Sequence, residues 1–485
     1  MLLIPGMARA VDNVPYLVPG IANVQYANGV TEIATDADLP ATLTAGWYIT
    51  TCAAGDIIHN ETVTVNGAVN LILGDGCTLT VNGHHGFVGG GSISLRGGAG
   101  INVSAGQNLT IYAQSSGGSM GGLTANGGFS VAGGGGAGIG TGDSEFLISD
   151  SVVGAITING GLIKAAGAEG SAGIGSGILW SCGAFVNGGI VTINGGDVTA
   201  TGGASGAGIG GGWGGSGDII AITGGVVHAY GGSQPNSYGG GAGIGGGGSS
   251  GDGITFGSTY CNGSDGGASG NITISGDAAV YAYGGFGGVG GGGAGIGSGG
   301  TDNTGQPGGA LGTIVIQDTN ANVKAAVGGM GDTGTGANIG MGAGGPNGSG
   351  SGVETTFYTV TASVNGTGGS IAASPPAPSP SANIVPAGSW QVSNGSTMNF
   401  DIIVTPDNGY AVTSLTVTPA GGASTDVGAL RYYALTATNS ISAVAAFGIT
   451  GTSLTTAIPT LNPAALVLLA MGLAGLAIQQ RRRRR

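Results

Sequence analysis

The sequence predicts an all-β protein in which a glycine-rich parallel β-solenoid is followed by a small β module and a C-terminal transmembrane helix. Three observations favour this fold class. Glycine supplies 114 of the 485 residues, short apolar triplets recur in a constant order, and an apolar run precedes five terminal arginines. The usual share of glycine is roughly 7%. Ordered apolar triplets argue against disorder, and the lack of a Gly-X-Y period excludes collagen.

Three short sequence elements recur six times between residues 109 and 350. The first is an apolar-x-apolar triplet with its middle residue at Thr110, Thr157, Thr192, Ala221, Thr273 and Val315. The second is an apolar-x-Ala triplet with its middle residue at Thr124, Lys164, Thr199, His228, Tyr281 and Lys324. The third is Ala-Gly-Ile-Gly, whose isoleucines are Ile139, Ile174, Ile209, Ile244 and Ile296; a sixth copy around Ile339 carries Asn338 in place of the first glycine. This constant order indicates a structural repeat.

The first two elements have the properties of β-strands. Their β-branched residues alternate with polar ones and are followed by turn residues. Alternation places Ile156, Ile158 and Ile163 inward, and Thr157 and Lys164 outward. Such a short repeat cannot bury its apolar side alone, so neighbouring repeats must stack. We therefore expect a parallel β-solenoid over residues 109–350. The alternative is a bundle of polyproline-II-like glycine helices, which the Ile and Val triplets disfavour.

The spacing of the repeats predicts where the chain makes loops. The isoleucine of the third element recurs at intervals of 35, 35, 35, 52 and 43 residues. Glycine-rich loops absorb such variation at low entropic cost. The longest interval contains Ile254, Phe256 and Cys261, and it predicts an inserted loop or partial coil.

Residues 11–108 are expected to form an N-terminal β region with the cap of the solenoid. Strand and turn patterns run from Val63 to Val81, and solenoids need capping segments. With Leu109 to Gln114, this stretch resembles the opening coils of glycine-rich bacterial surface proteins. That resemblance implies a fold and a location but no activity.

The four cysteines do not form a metal-binding or redox motif. They are Cys52, Cys77, Cys182 and Cys261, without a C-x-x-C pair. Cys52 and Cys77 are the nearest candidates for a disulfide in an exported protein, and four unpaired thiols are the alternative.

The composition changes after Gly352, and residues 355–449 are predicted to form a separate module of about seven strands. The segments that begin at Tyr358, Thr405 and Tyr433, and the end at Phe447, are similar to divergent internalin B-repeat modules of bacterial surface proteins. The resemblance implies a spacer or stalk domain. Residues 450–457 form a linker.

Both ends of the chain carry features of an exported protein. Residues 1–10 end in Ala8-Arg9-Ala10, a small-x-small pattern typical of signal peptidase sites, although the apolar part is short. We interpret them as a truncated signal peptide. Near the other end, residues 464–478 are uninterrupted apolar or glycine residues. Fifteen helical residues span only about 22 Å, short for a membrane core of roughly 30 Å, and arginine snorkelling offsets part of the difference.

The last 28 residues, 458–485, contain three parts in a fixed order: Ile458-Pro459-Thr460-Leu461, the apolar segment, and the basic stop of Arg481, Arg482, Arg483, Arg484 and Arg485. This order resembles the IPTL-CTERM sorting signals of Gram-negative bacteria, relatives of the PEP-CTERM signals handled by exosortase-type membrane enzymes. Asn462-Pro463-Ala464 departs from the Ser-Glu-Trp-like segment that often follows the tetrapeptide. An ordinary C-terminal anchor is the alternative and gives the same orientation, with the arginines in the cytoplasm.

The charge balance excludes nucleic acid as a partner. The formal net charge is −13, and between the two ends the basic residues are Arg96, Lys164, Lys324 and Arg431. Such an acidic body is repelled by nucleic acid and by anionic lipid. Parallel β-helices often house polysaccharide lyases, which need clustered carboxylates for Ca²⁺ and a basic residue as the proton acceptor. No column of carboxylates repeats along the coils, and Lys164 and Lys324 are separated by three intervening coils, too far apart to cooperate. We therefore expect no catalytic residues, no metal site and no cofactor.

One set of residues is a candidate for ligand binding. The outward residues of the second element include His228 and Tyr281, and two residues further on lie Tyr230 and Tyr283. Together with Trp213 in a nearby loop, these rings could stack on sugars. An ordinary solvated solenoid face is the alternative. His84 and His85 lie on a turn without further metal-ligand spacing, and a solvated turn is the interpretation we favour.

Together, these patterns predict a non-enzymatic structural or adhesive protein, exported from a Gram-negative bacterium. It would be anchored at the inner membrane through residues 464–478 during transit, and then reach the cell surface or the extracellular matrix. Its expected partners are an exosortase-type sorting enzyme and a polysaccharide or host surface. A carbohydrate-binding protein is the first alternative, and a β-helix polysaccharide lyase the second.

Overall fold

The computed structural model describes most of the chain between residues 9 and 449. The described segments are 9–89, 92–94, 97–130, 134–142, 144–145, 152–180, 186–234, 239–249, 254–256, 259–261, 266–301, 308–317, 322–332, 334–344, 357–374, 389–393, 398–430, 432–437 and 439–449. Within them the chain is built from β-strands, with one 3-10 turn at Asp36–Asp38. The prediction of an all-β chain with parallel sheets is confirmed.

The strands stack in parallel on three faces of a solenoid. The first face consists of Val30–Ile33, Thr42–Thr50, Val63–Leu73, Asn108–Ala113, Ala155–Ile158, Ile190–Ile193, Ile219–Ile222, Asn271–Ile274 and Ile314–Ile316. The eight-stranded second face consists of Ile57–His59, Thr78–Asn82, Gly122–Asn126, Leu162–Ala166, Asp197–Thr201, Val226–Tyr230, Ala279–Tyr283 and Val323–Val327. The third face has two-residue strands: Ile101–Asn102, Ile139–Gly140, Ile174–Gly175, Ile209–Gly210, Ile244–Gly245, Ile296–Gly297 and Ile339–Gly340.

The three sequence elements therefore correspond to the three faces, and the stacking is that of a parallel β-solenoid. The coils begin before residue 109, since Val63–Leu73 pairs with Ile101–Asn102 near its start and with Asn108–Ala113 near its end. This long strand bends across the third and first faces. The parallel coils therefore already run through the region 11–108, which was expected to form an N-terminal β region with the cap of the solenoid.

In-register apolar ladders fill the interior. On the first face Leu71, Ile111, Ile158, Ile193, Ile222, Ile274 and Ile316 lie one above another, and all of them are fully buried. Each buried Ile or Leu contributes about 1.5–3 kcal/mol. The predicted inward direction of Ile156, Ile158 and Ile163 is confirmed by their burial.

The third element forms a tight bend that depends on its last glycine. In each copy the amide of the alanine donates to the carbonyl four residues on, as from Ala172 to Ser176 at 2.9 Å. Gly175 and Gly210 adopt φ values of 136° and 132°, a region that side chains rarely occupy. A Cβ at Gly175 would collide with the carbonyl oxygen of Gly210, which lies in the next coil. The coils can approach this closely only because the column is glycine.

Glycine segments on either side of the third face bond to one another through their backbones. Gly241 donates to Gly232, Gly285 to Gly241, and Gly293 to Gly285, over 2.8–3.1 Å. A Cβ at Gly285 would collide with the carbonyl oxygen of Gly232. The Ile and Val triplets thus form strands, as the sequence predicts, and the intervening glycines pack backbone against backbone.

Short paired strands lie in the loops between the faces. The antiparallel pairs are Phe87–Gly89 with Ser92–Ser94, Phe129–Ser130 with Gly134–Gly135, and Ile254–Phe256 with Thr259–Cys261. Ser144–Glu145 pairs in parallel with Leu179–Trp180. The hairpin that contains Cys261 lies in the longest repeat interval, where an inserted loop was expected.

The N-terminal segment closes one end of the first face. Ala10–Val11 pairs antiparallel with Val30–Ile33. The hairpin of Val14–Tyr16 and Gln25–Ala27 packs its Val14 and Ala27 against Ile49 and Ile72 on the outside of the first face. The hairpin thus covers the outer side of the sheet, and the pairing of Ala10–Val11 covers part of a sheet edge, which would otherwise be a site for aggregation.

A disulfide joins Cys52 to Cys77 across adjacent coils, with 5.3 Å between their Cα atoms. The sequence left open a disulfide between these two residues or unpaired thiols, and the structure contains the disulfide. Cys261 is described only in its strand, and Cys182 lies outside the described residues.

The C-terminal module consists of two packed sheets. One sheet contains Ser389–Ser393, Phe357–Asn365, Ile441–Ile449, Tyr410–Pro419 and Thr425–Asp426, and the other contains Gly369–Ser374, Met398–Pro406 and Tyr432–Ala437. Val360, Ile371, Ile402, Leu415 and Ala443 are buried between them. Ser389–Ser393 also pairs antiparallel with Ile314–Ile316, so the first sheet continues the first face of the solenoid.

Candidate binding face

The candidate aromatic residues lie on the outer side of the second face. Successive side chains of a strand point to opposite sides, so the outward positions of Val226–Tyr230 include His228 and Tyr230. In the next coil His228 is opposite Tyr281, and Tyr230 is opposite Tyr283. The structure therefore brings together His228 and the three tyrosines that the sequence singled out.

The four rings form two stacked pairs. The ring centroids of His228 and Tyr281 are 4.6 Å apart with 7° between the ring planes. Those of Tyr230 and Tyr283 are 5.3 Å apart with 8° between the planes. Parallel strands place equivalent side chains about 4.8 Å apart, which favours such stacking. Each ring gives one face to its partner, so a ligand would meet ring edges and the outer ring faces.

Small or aliphatic side chains flank both pairs in the ladder. Thr199 precedes His228 in its column, and Thr201 precedes Tyr230. Ala325 follows Tyr281, and Val327 follows Tyr283. Since none of these neighbours carries a charge, the surroundings suit a neutral ligand.

The expected outward series on this face is confirmed except at its end. Thr124, Lys164, Thr199, His228 and Tyr281 follow one another in register. Lys324 was expected next, but a register shift between Val280 and Tyr281 places Ala325 opposite Tyr281. An extra residue in the last strand is a bulge, a feature that the triplet pattern does not reveal.

Trp213 has a different position. It follows the third-face strand Ile209–Gly210, and its indole N–H donates to the carbonyl of Ala204 at 2.9 Å. Its amide donates to the carbonyl of Gly170 at 2.8 Å. Trp213 therefore packs on the loops around the third face, and the structure does not place it in the second-face column with the tyrosines.

An apolar strip continues from the tyrosine column around the corner toward the third face. Phe286, Val289, Val327 and Met330 are exposed there, and Met330 is 68% exposed. Phe286 lies three residues after Tyr283, and Met330 lies three residues after Val327, the residue opposite Tyr283 in the next coil. This strip was not predicted from the sequence. In both coils the last strand residue is followed by Gly-Gly and then by an apolar residue. This recurring order would have predicted the apolar strip.

The histidines near the N-terminal end make local contacts. His84 Nδ1 lies 3.1 Å from Glu61 Oε2, and His59 Nδ1 lies 2.7 Å from Asp36 Oδ1. His85 Nδ1 accepts a hydrogen bond from the amide of Phe129 at 3.0 Å, and the two rings stack. Within the described segments, three or more His, Cys, Asp or Glu side chains do not come together as a metal site would require.

Among the residues that the structure describes, Tyr112 and Asp218 have shifted pKa values. Burial raises the pKa of Tyr112, the nearby Tyr16 raises it further, and a hydrogen bond with Asn159 lowers it. Burial also raises the pKa of the Asp218 carboxyl. Tyr112 packs with Trp47 beneath the N-terminal hairpin, whereas Asp218 precedes the first-face strand Ile219–Ile222, several coils away. The two groups therefore do not form an acid–base pair.

The sorting motif Ile458, Pro459, Thr460 and Leu461, the apolar segment 464–478 and the arginines 481–485 lie outside the described residues. Among the residues that the structure does describe, no helix is long and apolar enough to cross a membrane. The signal-peptide prediction for residues 1–10 likewise falls almost wholly outside them.

Comparison with known proteins yields no relatives. No protein-family model matches the chain, and neither the curated proteins nor the solved structures give a match. Function must therefore be inferred from the sequence and the geometry alone.

Proposed function

We propose that this chain is a non-enzymatic structural or adhesive protein that a Gram-negative bacterium exports to its surface or extracellular matrix through the C-terminal signal. The observation that carries the proposal is the stacked solenoid with mostly uncharged outward ladders. Such a body presents a large, repetitive surface while its interior contains mainly apolar side chains and glycine backbone. The disulfide between Cys52 and Cys77 agrees with an oxidising compartment outside the cytoplasm.

The sorting step is tested by altering the tetrapeptide. A tagged chain is expressed in a Gram-negative host with an exosortase-type enzyme, and Pro459→Ala with Thr460→Ala is compared with Asn462→Ala. The wild type and Asn462→Ala should reach the outer surface, and the double variant should accumulate several-fold in the inner membrane. Wild-type protein that stays in the cytoplasm would contradict export, and a double variant sorted like the wild type would contradict the role of the motif.

The non-enzymatic part of the proposal has its own test. Incubation with acidic polysaccharides should release no unsaturated sugars, because catalysis requires a positioned base next to the substrate and the chain has few basic groups. Release of such sugars by the purified protein, abolished by Lys164→Ala, would establish a lyase instead.

A second candidate function is recognition of a neutral polysaccharide by the second face. The stacked pairs of His228 with Tyr281 and Tyr230 with Tyr283 favour it, because aromatic edges and hydroxyl groups suit uncharged sugars. Glycan-array binding should fall at least tenfold in the variant with Tyr230→Ala and Tyr283→Ala. Tyr26→Ala serves as the matched control, since Tyr26 is an exposed tyrosine on the N-terminal hairpin. Equal binding by both variants would eliminate this face as the glycan site.

A further inference from the structure

The last coil of the first face differs from the coils before it. In earlier coils the outward position of the strand holds Thr110, Thr157, Thr192, Ala221 and Thr273, which are half-buried. In the last coil this position holds Val315, which is 0% exposed. The strand Ile314–Ile316 is consequently buried on both sides.

The residues that bury Val315 belong to the C-terminal module. Val315 shares a hydrophobic cluster with Val360, Leu415 and Ala443. The same strand is paired along its edge, since Val315 is opposite Val392, and Ile316 is opposite Gln391. The module thus covers both the outward side and the free edge of the final coil.

The other end of the first face is closed in the same manner. There Ala10–Val11 pairs antiparallel with the first strand, and the outward Ile49 and Ile72 lie beneath the N-terminal hairpin. Apolar outward residues therefore occur at the two ends of this face, where other segments cover them, and threonine predominates between them. An uncovered end strand would offer unpaired backbone groups and a valine to another chain.

We propose that the module is the C-terminal cap of the solenoid, and that it blocks strand addition by a second copy of this chain at Ile314–Ile316. This role differs from the spacer or stalk that the resemblance implied, and it does not depend on export or on glycan binding. Within the same chain, residues 389–393 occupy the edge of Ile314–Ile316, and the cluster with Val360, Leu415 and Ala443 covers Val315.

The docking is tested by a disulfide trap in the full chain, solubilised in detergent, with Cys182→Ser and Cys261→Ser as background. Val315→Cys with Val392→Cys should form an intrachain bond in most molecules, because opposite residues of antiparallel strands have Cβ atoms about 4.5–5.5 Å apart. The control pair is Thr192→Cys with Val392→Cys, which places the first cysteine three coils away in the same column. An intrachain yield equal to that of the control would overturn the docking.

The blocking role is tested by weakening the cap without disturbing the coil. Val315→Thr introduces the residue type that Thr273 supplies in the preceding coil, so the solenoid should tolerate it. The new hydroxyl would be buried in the module, which should weaken the attachment of the cap. Val315→Asp is the stronger variant, and Thr192→Asp is the control. In sedimentation experiments over a hundredfold concentration range, both Val315 variants should gain species of at least twice the wild-type mass, Asp more than Thr.

One combination of results would overturn the proposal that the module blocks self-association. If both Val315 variants keep the sedimentation profile of the wild type and of Thr192→Asp, while a trap at the neighbouring opposite pair, Ile316→Cys with Gln391→Cys, fails to close in them and so shows that the module has detached, the cap does not prevent self-association. Far-UV circular dichroism of Val315→Thr separates these outcomes from unfolding, because the β signal of the solenoid should stay unchanged.

Discussion

At the scale of single residues, the glycine that ends each third-face strand from Ile139–Gly140 onward is under a steric constraint that a residue with a Cβ cannot satisfy. Gly140, Gly175, Gly210, Gly245 and Gly297 all have φ values between 130° and 145°. A Cβ on any of them would collide with the backbone of the following coil. The residue type is therefore set by the approach of two coils as well as by the local dihedral angle.

Replacing Gly210 by alanine should destabilise the solenoid strongly. Adopting a positive φ costs a residue with a Cβ roughly 1–2 kcal/mol, and the collision with the Gly245 carbonyl adds to it. Gly106→Ala is the matched control, because Gly106 has a φ of 77° and an added Cβ would have no atom within 4 Å. Urea midpoints followed by circular dichroism should fall clearly more for Gly210→Ala; equal midpoints would refute the close approach of the coils.

The shifted pKa of Tyr112 predicts a loss of stability in alkali. Its pKa in the folded state is above the ordinary value of 10.0, so the folded state holds the phenol proton more tightly than the unfolded state. The protonated phenol therefore contributes to the free energy of unfolding. This contribution is fully present below pH 10 and is lost as the pH rises through the pKa of the folded state. Between pH 9 and pH 11 the wild type should therefore lose more unfolding free energy than Tyr112→Phe. Equal losses would show that Tyr112 does not titrate in this way.

Single-residue predictions from the sequence succeeded where alternation decides direction. The inward Ile156 and Ile163 follow from the period of a strand and are buried. Trp213 could not be placed, because its direction depends on the path of a loop and on the carbonyl of Ala204. Cys52 and Cys77 could not be paired with certainty, because pairing depends on which coils become neighbours.

At the scale of elements, the disulfide fastens two of the first coils together. Cys52 follows the strand Thr42–Thr50, and Cys77 precedes Thr78–Asn82. The residues between them include Ile57–His59 and Val63–Leu73, so the crosslink encloses most of one coil near the N-terminal end.

Removal of this disulfide should weaken the N-terminal coils. For a loop with a sequence separation of 25, the chain-entropy model gives roughly 3.5 kcal/mol. Cys52→Ser with Cys77→Ser should lower the urea midpoint by a corresponding amount, and the native chain in reductant should behave like the variant. A native chain whose midpoint is unaffected by reductant would contradict this stabilising role.

The strands were predictable and their irregularities were not. Triplets with β-branched residues indicate strands in any context that stacks them, which is why the first and second faces could be predicted. The bulge at Lys324 and the backbone bonding of glycine segments such as Gly232 and Gly241 arise from the fit between coils. A single repeat carries no information about that fit.

At the scale of the whole molecule, one strand pairing joins the solenoid to the module. The change in composition after Gly352 predicted a separate unit; in the structure the described residues of 357–449 form two packed sheets, one of which continues the first face. The attachment through Ser389–Ser393 and Ile314–Ile316 could not be predicted, because edge pairing between distant segments depends on tertiary packing. Val315, an apolar residue in a column of threonines, is the sequence signal that points to it in retrospect.

The stacked solenoid also sets how distances depend on sequence separation. On the second face Thr80, Thr124, Lys164, Thr199, His228 and Tyr281 occupy successive coils in one column. Each step along the column should add one strand spacing, about 4.8 Å, whatever the length of the loop between the coils.

Electron–electron distance measurements between spin labels test this most directly. Labels at Thr80 and His228, and at Thr80 and Tyr281, should give backbone separations of about 19 Å and about 24 Å, with narrow distributions. The second distance exceeds the first by a single spacing, although the insertion with the Ile254–Phe256 hairpin lies between His228 and Tyr281. A broad distribution, or an increase much larger than one strand spacing, would contradict the parallel β-solenoid.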